Sequence, residues 1–390
     1  MPAALRKVAL LIETSNAYAR GLLAGIVAWM REHRPWSVHL AEGARGGQPP
    51  PWLSRWDGDG VIARIENESI ARVLRRLRVP IVDVSAARRI PTLPWVETDD
   101  DAIAREAFDH FRARGFRQLA FCGDDRFNWS RWRETAFARL AREAGLPCAV
   151  YRPRARAADD AEAEVARIGD WIAGLPRPVG VMACYDFRGR QVLDACRRRR
   201  IPVPDAVAVL GVDNDDLLCD LADPPLSSVI LNPRRTGYEA AALLDRMMGG
   251  AHVGSRAVRI GPLGVATRRS TDVVAVEDPG VANALRYIRD HACEGISVKD
   301  VLKACPQSRR RLEHRVRRLI GRSPHDEILR VRLDCVKRLL VETDLPLERI
   351  AERAGFLHPE YLSVAFRRAV GIPPSRYRAR LRRQPAGSPR

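Results

Sequence analysis

A chain of 390 residues with 46% hydrophobic composition is too long for one ordinary domain and too apolar for a disordered one, so two or three domains with buried cores are expected. The net charge of +18 calls for an anionic partner or a uniform compositional bias, and its placement argues against uniform bias: residues 281–390 hold 25 Lys and Arg against 12 Asp and Glu, while the rest of the chain holds 41 against 36. No apolar run is long enough for a membrane span, and the eight cysteines, scattered without a CxxC pair, read as reduced packing residues of a cytosolic protein rather than a disulfide frame or zinc site.

Met1 to Lys7 leads straight into the strand-like run Val8-Ala9-Leu10-Leu11-Ile12, too short for a signal peptide and lacking its cleavage pattern. Further strands are expected at 37–40, 59–63, 81–85, 118–122, 148–151, 179–184 and 207–212. Helices are expected at 20–33, 67–77, 101–114, 132–144, 160–173, 187–199 and 234–248. This alternation predicts βαβ units and parallel sheets, an α/β fold whose length over residues 1–270 suits two lobes.

Two such lobes bind ligands at the carboxyl ends of their strands, in the crevice between them. The polar residues expected there are Asn16, Tyr18, Arg20, Asp83, Trp129, Arg133, Asp186, Asp213 and Asn214, with Asp124, Asp125 and Tyr185 beside them. Carboxylates that accept from hydroxyls, together with aromatic faces, suit a neutral polyol such as a sugar. In that reading Asp186 and Asp213 accept from vicinal hydroxyls, Arg133 donates, and Trp129 or Tyr18 covers the C–H face. Strand-end Asp and Asn also serve as helix caps, and Trp129 also suits a core position.

Around 271–280 the alternation stops. Thr271-Asp272 and Glu277-Asp278-Pro279-Gly280 read as a linker, and the chain beyond is expected to be all helical. Residues 281–380 repeat at a spacing of 50: Leu312-x3-Val316-Arg317-Arg318-x2-Gly321 returns as Leu362-x3-Phe366-Arg367-Arg368-x2-Gly371. Each copy follows a short amphipathic stretch, 298–302 and 347–351, so each reads as a helix-turn-helix with its i, i+4 apolar pair inward. Between the copies, 325–343 reads as one long helix with Ile328, Leu333, Val336 and Leu340 on a face.

This region resembles the AraC/XylS-type DNA-binding domain, two helix-turn-helix units joined by a long helix. The resemblance rests on Arg332-Leu333, Leu339-Leu340, Ile350-Ala351, Ala354-Gly355-Phe356, Phe366-Arg367-Arg368, Gly371 and Pro373-Pro374-Ser375-Arg376-Tyr377-Arg378. Pro306 departs from it, standing where the first turn commonly has glycine. Proline cannot take a positive φ, so an altered first turn is expected. Val316 and Val336 replace the usual Phe and Ala. The first 270 residues resemble the ligand domain of LacI-type regulators and type I periplasmic binding proteins, through Trp129-x3-Arg133, Ala183-Cys184-Tyr185-Asp186, Leu210-Gly211-Val212-Asp213-Asn214 and Leu226-Ser227-Ser228-Val229. The combination, with no N-terminal DNA-binding head, resembles the bacterial xylose-operon regulator family.

That resemblance implies a sugar-responsive, sequence-specific transcription regulator, an activator of xylose or other pentose catabolic genes. Its implied partners are operator DNA, a pentose effector, a second copy of the chain and RNA polymerase, with no cofactor, no metal and no membrane. Residues 1–270 become the ligand and dimerisation domain, 271–280 the linker and 281–390 the DNA-binding domain. Helices starting near Ser308 and Pro359 would enter major grooves about one turn (~34 Å) apart. Arg309, Arg310, Glu313 and His314 on the first, and Glu360, Tyr361, Ser363 and Val364 on the second, would face bases. Arg317, Arg318, Arg367, Arg368 and Arg376 would meet phosphates, or else form a solvated face. An enzyme is disfavoured, since no HExxH, P-loop or GxSxG motif occurs and the histidines lack metal spacing. A sugar-binding protein without gene-specific DNA recognition is the alternative.

Overall fold

The alternating segments of the first 271 residues form two six-stranded sheets, each flanked by helices. The computed structural model describes residues 5–40, 46–153, 160–273, 278–343 and 345–383. It divides into two units, Met1–Thr271 and Asp272–Arg390. The first unit runs β1 (Lys7–Leu11), α1 (Ala17–Glu32), β2 (Ser37–Leu40), β3 (Gly60–Ala63), α2 (Glu68–Leu74), β4 (Ile81–Asp83), β5 (Trp95–Thr98), α3 (Asp100–Ala113), β6 (Gln118–Cys122) and α4 (Asn128–Glu143). It continues through β7 (Cys148–Tyr151), α5 (Ala161–Ala173), β8 (Val179–Ala183), α6 (Asp186–Arg198), β9 (Val207–Asp213), α7 (Asp216–Asp220), β10 (Ser227–Ile230), α8 (Pro233–Met248), β11 (Ala257–Ile260) and β12 (Gly264–Ala266).

One lobe has the strand order β11-β5-β4-β3-β1-β2 and the other β12-β10-β9-β8-β6-β7. The pairs are parallel apart from β10 with β12. The chain passes between lobes three times: from β5 to α3, from β10 to α8, and from β11 to β12. Strands β5, β10, β11 and β12 are absent from the sequence reading. They are short, and their polar residues, such as Glu97 and Arg259, interrupt the apolar runs that mark buried parallel strands.

Helices α1 and α8 pack face to face in the first lobe, and glycine sets their distance. A Cβ on Gly25 would lie 2.0 Å from the Arg234 carbonyl oxygen, and one on Gly237 would lie 2.0 Å from the Leu22 carbonyl oxygen. Around this contact Leu22, Ile26, Trp29, Ala240, Ala241 and Leu244 are buried with Val8, Leu10 and Val82 of the sheet. The second lobe closes its own core on Val165, Ile168, Val181, Val192, Val209 and Leu226.

The second unit is helical: α9 (Pro279–His291), α10 (Val298–Ala304), α11 (Arg309–Ile320), α12 (Pro324–Glu342), α13 (Leu347–Arg353), α14 (Pro359–Val370) and α15 (Pro374–Arg383). Two clusters form its interior. One gathers Val281, Ile288, Val301, Leu312, Val316 and Ile328, the other Leu333, Val336, Leu340, Ile350, Leu362 and Phe366. Helix α12, 19 residues long and so about 28 Å, serves both. Its Arg332 donates to the carbonyl oxygens of Ala292 (2.8 Å) and Ile296 (2.7 Å) and lies 5.8 Å from the Phe356 ring centroid. One guanidinium thus ties the first helix-turn-helix to the turn of the second.

Helix α9 is an addition to the reading. Its N-cap is Asp278, which accepts from the Gly280 and Val281 amides and pairs with Arg315. The segment read as a linker therefore contains a helix start, and its residues 274–277 lie outside the described residues. The two helix-turn-helix turns differ as Pro306 led us to expect. After α13 the chain turns through Gly355 at φ +74°, whereas α10 ends at Cys305 with φ −127° and no left-handed residue.

Substituting Gly237 with Ala is expected to lower the stability of the first unit by about 1–3 kcal/mol, because the new methyl meets backbone that cannot rotate away. Gly249→Ala, with its nearest neighbour at 3.3 Å, is the control. Urea unfolding of both variants beside the parent measures the difference; equal midpoints for Gly237→Ala and the parent would contradict the backbone contact.

Candidate functional site

The carboxyl ends of the strands of both lobes face a cavity of about 250 Å³ lined by Asn16, Ala17, Tyr18, Arg64, Glu97 and Thr98 from one lobe. The other lobe supplies Trp129, Arg133, Tyr185, Phe187, Asp213 and Asp215, with Leu218 and the crossover residue Leu231. The volume falls just below the ~300–1,000 Å³ of drug-sized pockets, which suits a small molecule.

Helix α4 starts at Asn128, four residues earlier than expected, and this puts Trp129 and Arg133 one turn apart on one face. Arg133 is buried. Its Nε donates to Asp100 Oδ1 (2.8 Å) and its Nη1 to the Cys184 carbonyl (2.7 Å), and it lies 4.8 Å from the Trp129 ring centroid. Burial works against its charge, but Asp100 and Asp213 outweigh that penalty. Trp129 stacks on Phe127 at 4.8 Å and meets Tyr185 edge-on at 5.4 Å, giving the cavity an aromatic wall. Asp213 ends β9 with φ +117° and Asn214 follows at φ +54°, two non-glycine residues in a region that costs energy and is typical of functional turns.

In the opposite wall Tyr18 donates to Glu97 Oε1 at 2.9 Å. Arg64 pairs with Glu13 and, at 2.9 Å, with Glu66. Among the described residues the Arg64 Nε has no hydrogen-bond partner although the side chain is 92% buried. Such a donor is costly unless a ligand satisfies it. Burial, offset in part by Arg64, holds Glu97 above the ordinary carboxyl value. The cavity's cations, Arg64 and Arg133, both have carboxylate partners. It therefore suits a neutral polyhydroxylated ligand better than an anionic one.

The structure brings Asn16, Tyr18, Trp129, Arg133 and Asp213 of the expected set together at this cavity. It places the other four elsewhere. Arg20 is exposed and donates to the Thr14 carbonyl. Asp83 is buried and accepts from the Ser85 amide and hydroxyl. Asp186 accepts from the Asp215 amide (2.9 Å), Ser228 Oγ (2.6 Å) and Cys219 Sγ (3.5 Å), so it fixes the turn that carries Asp213. Burial, then the Asp213 carboxylate, push Asp186 well above the usual carboxyl range. Asn214 is held by Arg268 and Ser228. Tyr185, expected beside the strand ends, lines the cavity as well, whereas Arg64, Glu97, Thr98, Phe187 and Asp215 went unassigned in the sequence reading. A second cavity of about 320 Å³ beside Trp95 and Trp132 has its arginines engaged: Arg139 and Arg259 pair with Asp101, and Arg88 lies 3.5 Å over the Trp95 ring.

In the second unit α11 buries Leu312 and Val316 and exposes Arg309, Arg310, Arg311, His314, Arg317 and Arg318. Glu313 is only half-buried and pairs with Arg309 at 2.8 Å along the same helix. Helix α14 buries Leu362 and Phe366 and exposes Glu360, Tyr361, Val364, Arg367 and Arg368, with Ser363 half-buried and Arg376 exposed on α15. Both helices end on a left-handed glycine, Gly321 and Gly371. Among the described residues no helix is long and apolar enough to cross a membrane.

Three family models match the chain: an XylR N-terminal domain over residues 7–101, a periplasmic binding protein-like domain over 108–271 and a helix-turn-helix domain over 302–380. The xylose operon regulatory protein of Escherichia coli K12 is 33% identical over 380 residues, covering 95% of this chain and 96% of that protein. Its counterpart in Haemophilus influenzae is 29% identical, covering 95% and 98%. A solved structure described as the xylose-binding transcription activator xylR superposes with a TM-score of 0.76 at 32% identity, covering 97% of this chain and 99% of that one.

Asp83 gives a pH test of the first unit. Burial pushes its carboxyl up to about 7, against an unfolded value of about 3.9. A group raised on folding contributes its stability below its unfolded pKa and loses it as pH rises through the folded one. Stability should therefore fall between about pH 4 and about pH 7, and Asp83→Asn should flatten that fall. Urea midpoints at about pH 5 and about pH 8 measure the slope; an unchanged slope in the variant would assign it to another group.

Proposed function

Because the chain belongs to the family of the xylose operon regulatory proteins, we propose that its effector is xylose or a related pentose, bound in the cleft around Arg133 and Asp213. The chain is a sugar-responsive transcription regulator, not an enzyme. The observation that supports the cleft as the sugar site is the meeting of two buried arginines, each set among carboxylates, across an aromatic wall. Asp213 accepts from a sugar hydroxyl, Arg133 and the Arg64 Nε donate, and Trp129 or Tyr185 covers the C–H face. Asn16 and Tyr18 complete the opposite wall. Asp186, Asp83, Asn214 and Arg20 support the surrounding turns rather than touch the ligand.

Sugar acts by favouring the arrangement in which both walls meet it, since only then are all its hydroxyls satisfied. The second unit reads operator DNA through α11 and α14, with Arg317, Arg318, Arg367, Arg368 and Arg376 on phosphates. The protein works in the cytoplasm as a homodimer and activates pentose catabolic genes together with RNA polymerase.

Asp213→Ala should weaken binding of the best pentose by about 1.5–3 kcal/mol while leaving the fold intact. Calorimetry across a panel of pentoses and hexoses is the measurement, and unchanged affinity would move the site out of this cleft. Coupling is expected to be reciprocal and about 1–3 kcal/mol. DNA affinity measured with and without sugar, and sugar affinity measured with and without DNA, should change by the same factor; no change in either would remove sugar control of DNA binding.

A further inference from the structure

The 50-residue repeat keeps some residues and inverts the chemistry of others. Arg317 and Arg318 return as Arg367 and Arg368, all exposed near the C-terminal ends of α11 and α14. The positions nearer the N-termini, which enter a groove most deeply, do not return. Arg310 becomes Glu360, Arg311 becomes Tyr361, His314 becomes Val364, and Gln307 in the turn becomes Leu357. Positions 310, 314 and 317, and likewise 360, 364 and 367, fall at i, i+4 and i+7, so each set is one outward stripe opposite the buried Leu–Val or Leu–Phe pair.

Both stripes end in arginine, but their leading positions present opposite chemistry to solvent. On α11 the stripe is cationic, and the helix's one acidic side chain, Glu313, is held by Arg309 on its own helix. In the second copy the leading positions, from the turn into the first half of α14, are acidic and apolar: beside Glu360, Leu357 is 90% exposed, Val364 66% and Tyr361 50%. Large apolar side chains this exposed in one cluster mark a contact surface. The arginines Arg367, Arg368 and Arg376 beside the patch fit a polyanion rather than a second apolar protein face.

Resting on the reading of these helices as DNA-binding, we propose that the two helix-turn-helix units read chemically opposite half-sites. Arg310 and Arg311 of α11 donate to guanine O6 and N7. On α14 and its turn, Val364 and Leu357 pack on thymine 5-methyl groups, and Glu360 accepts from a cytosine amino group. These are the partners that donor, apolar and acceptor side chains have in the major groove. A carboxylate at position 360 would be repelled by the acceptor edge of guanine, so the two helices cannot exchange sites.

The test uses the full chain with D-xylose present. Duplexes are selected from a random library, and two analogues are then placed block by block in the selected site. Deoxyuridine removes the thymine methyl, and 7-deazaguanine removes the N7 acceptor. Deoxyuridine should weaken binding about fourfold in one block only, the worth of one buried methyl group, and Val364→Ala should erase that sensitivity. 7-Deazaguanine should weaken binding about tenfold in the other block only, and Arg310→Ala should erase it. Val364 and Arg310 are exposed, so neither substitution threatens folding. Deoxyuridine tolerated in both blocks, or a Val364→Ala protein that still senses it, overturns the division of labour while leaving the DNA-binding reading in place. Recovery of no preferred sequence, with affinity governed by salt alone, overturns both.

Discussion

A buried guanidinium has to be compensated where it stands, and much of the first unit is arranged around that constraint at Arg133. Removing a charge from water costs several kcal/mol unless hydrogen bonds and an opposite charge replace the lost hydration. Here the replacement comes from Asp100, the first residue of α3 just past a crossover, and from the carbonyl of Cys184 at the end of β8. The floor of the cleft and the path of the chain between lobes are therefore one network. Arg64 repeats the arrangement in the other lobe among Glu13, Glu66 and Glu97. Whatever binds between them meets two donors whose charge is already balanced.

The repeating parts of this architecture were legible from the residues. Eight strands and seven helices of the first unit were read close to their observed bounds, because buried parallel strands give unbroken apolar runs and their helices keep a 3.6-residue stripe. The second unit was legible through its own repetition, since Leu312 and Leu362, or Gly321 and Gly371, occupy equivalent places. The cleft was half legible. Asp213, Trp129 and Arg133 follow strands that can be seen. Glu97 sits inside β5, whose run Trp95-Val96-Glu97-Thr98 is only four residues long and carries a carboxylate where a buried parallel strand is usually apolar, and a buried Arg64 is spelled like an exposed one. The acidic residue flanked by Val96 and Thr98 was the available clue. Asp186 shows the converse difficulty: a carboxylate at a strand end has the same spelling whether it meets a ligand or, as here, an amide and two side chains.

In the second unit, a single long helix would leave two helix-turn-helix modules free to swivel if only apolar side chains joined them. Directional hydrogen bonds remove that freedom. Arg332 reaches two carbonyls behind the first module and lies over Phe356 in the second, and Gly355 allows that turn to come so near that a Cβ would be 2.8 Å from the Ala292 carbonyl oxygen. Arg378 of α15 adds a further tie to the carbonyls of Leu340 and Leu345. The differing turns of the two modules are then local matters that leave the shared scaffold alone.

The glycine contact between α1 and α8 has a kinematic side. Helix α8 begins at one crossover, and α1 carries Tyr18 into the cleft, so backbone-to-backbone packing welds that wall to the entry point of the returning chain. With the helices unable to slide, relative motion of the lobes is left to torsions in the three short connections. These lie at Thr98–Asp100, at Ile230–Pro233 and at Ile260–Gly264, the last with Gly264 at φ +115°. Any rearrangement of one lobe against the other has to turn on these three connections. Two of these connections also line the cleft, through Thr98 and Leu231, so the residues that let the lobes move are among those that meet whatever the cleft holds.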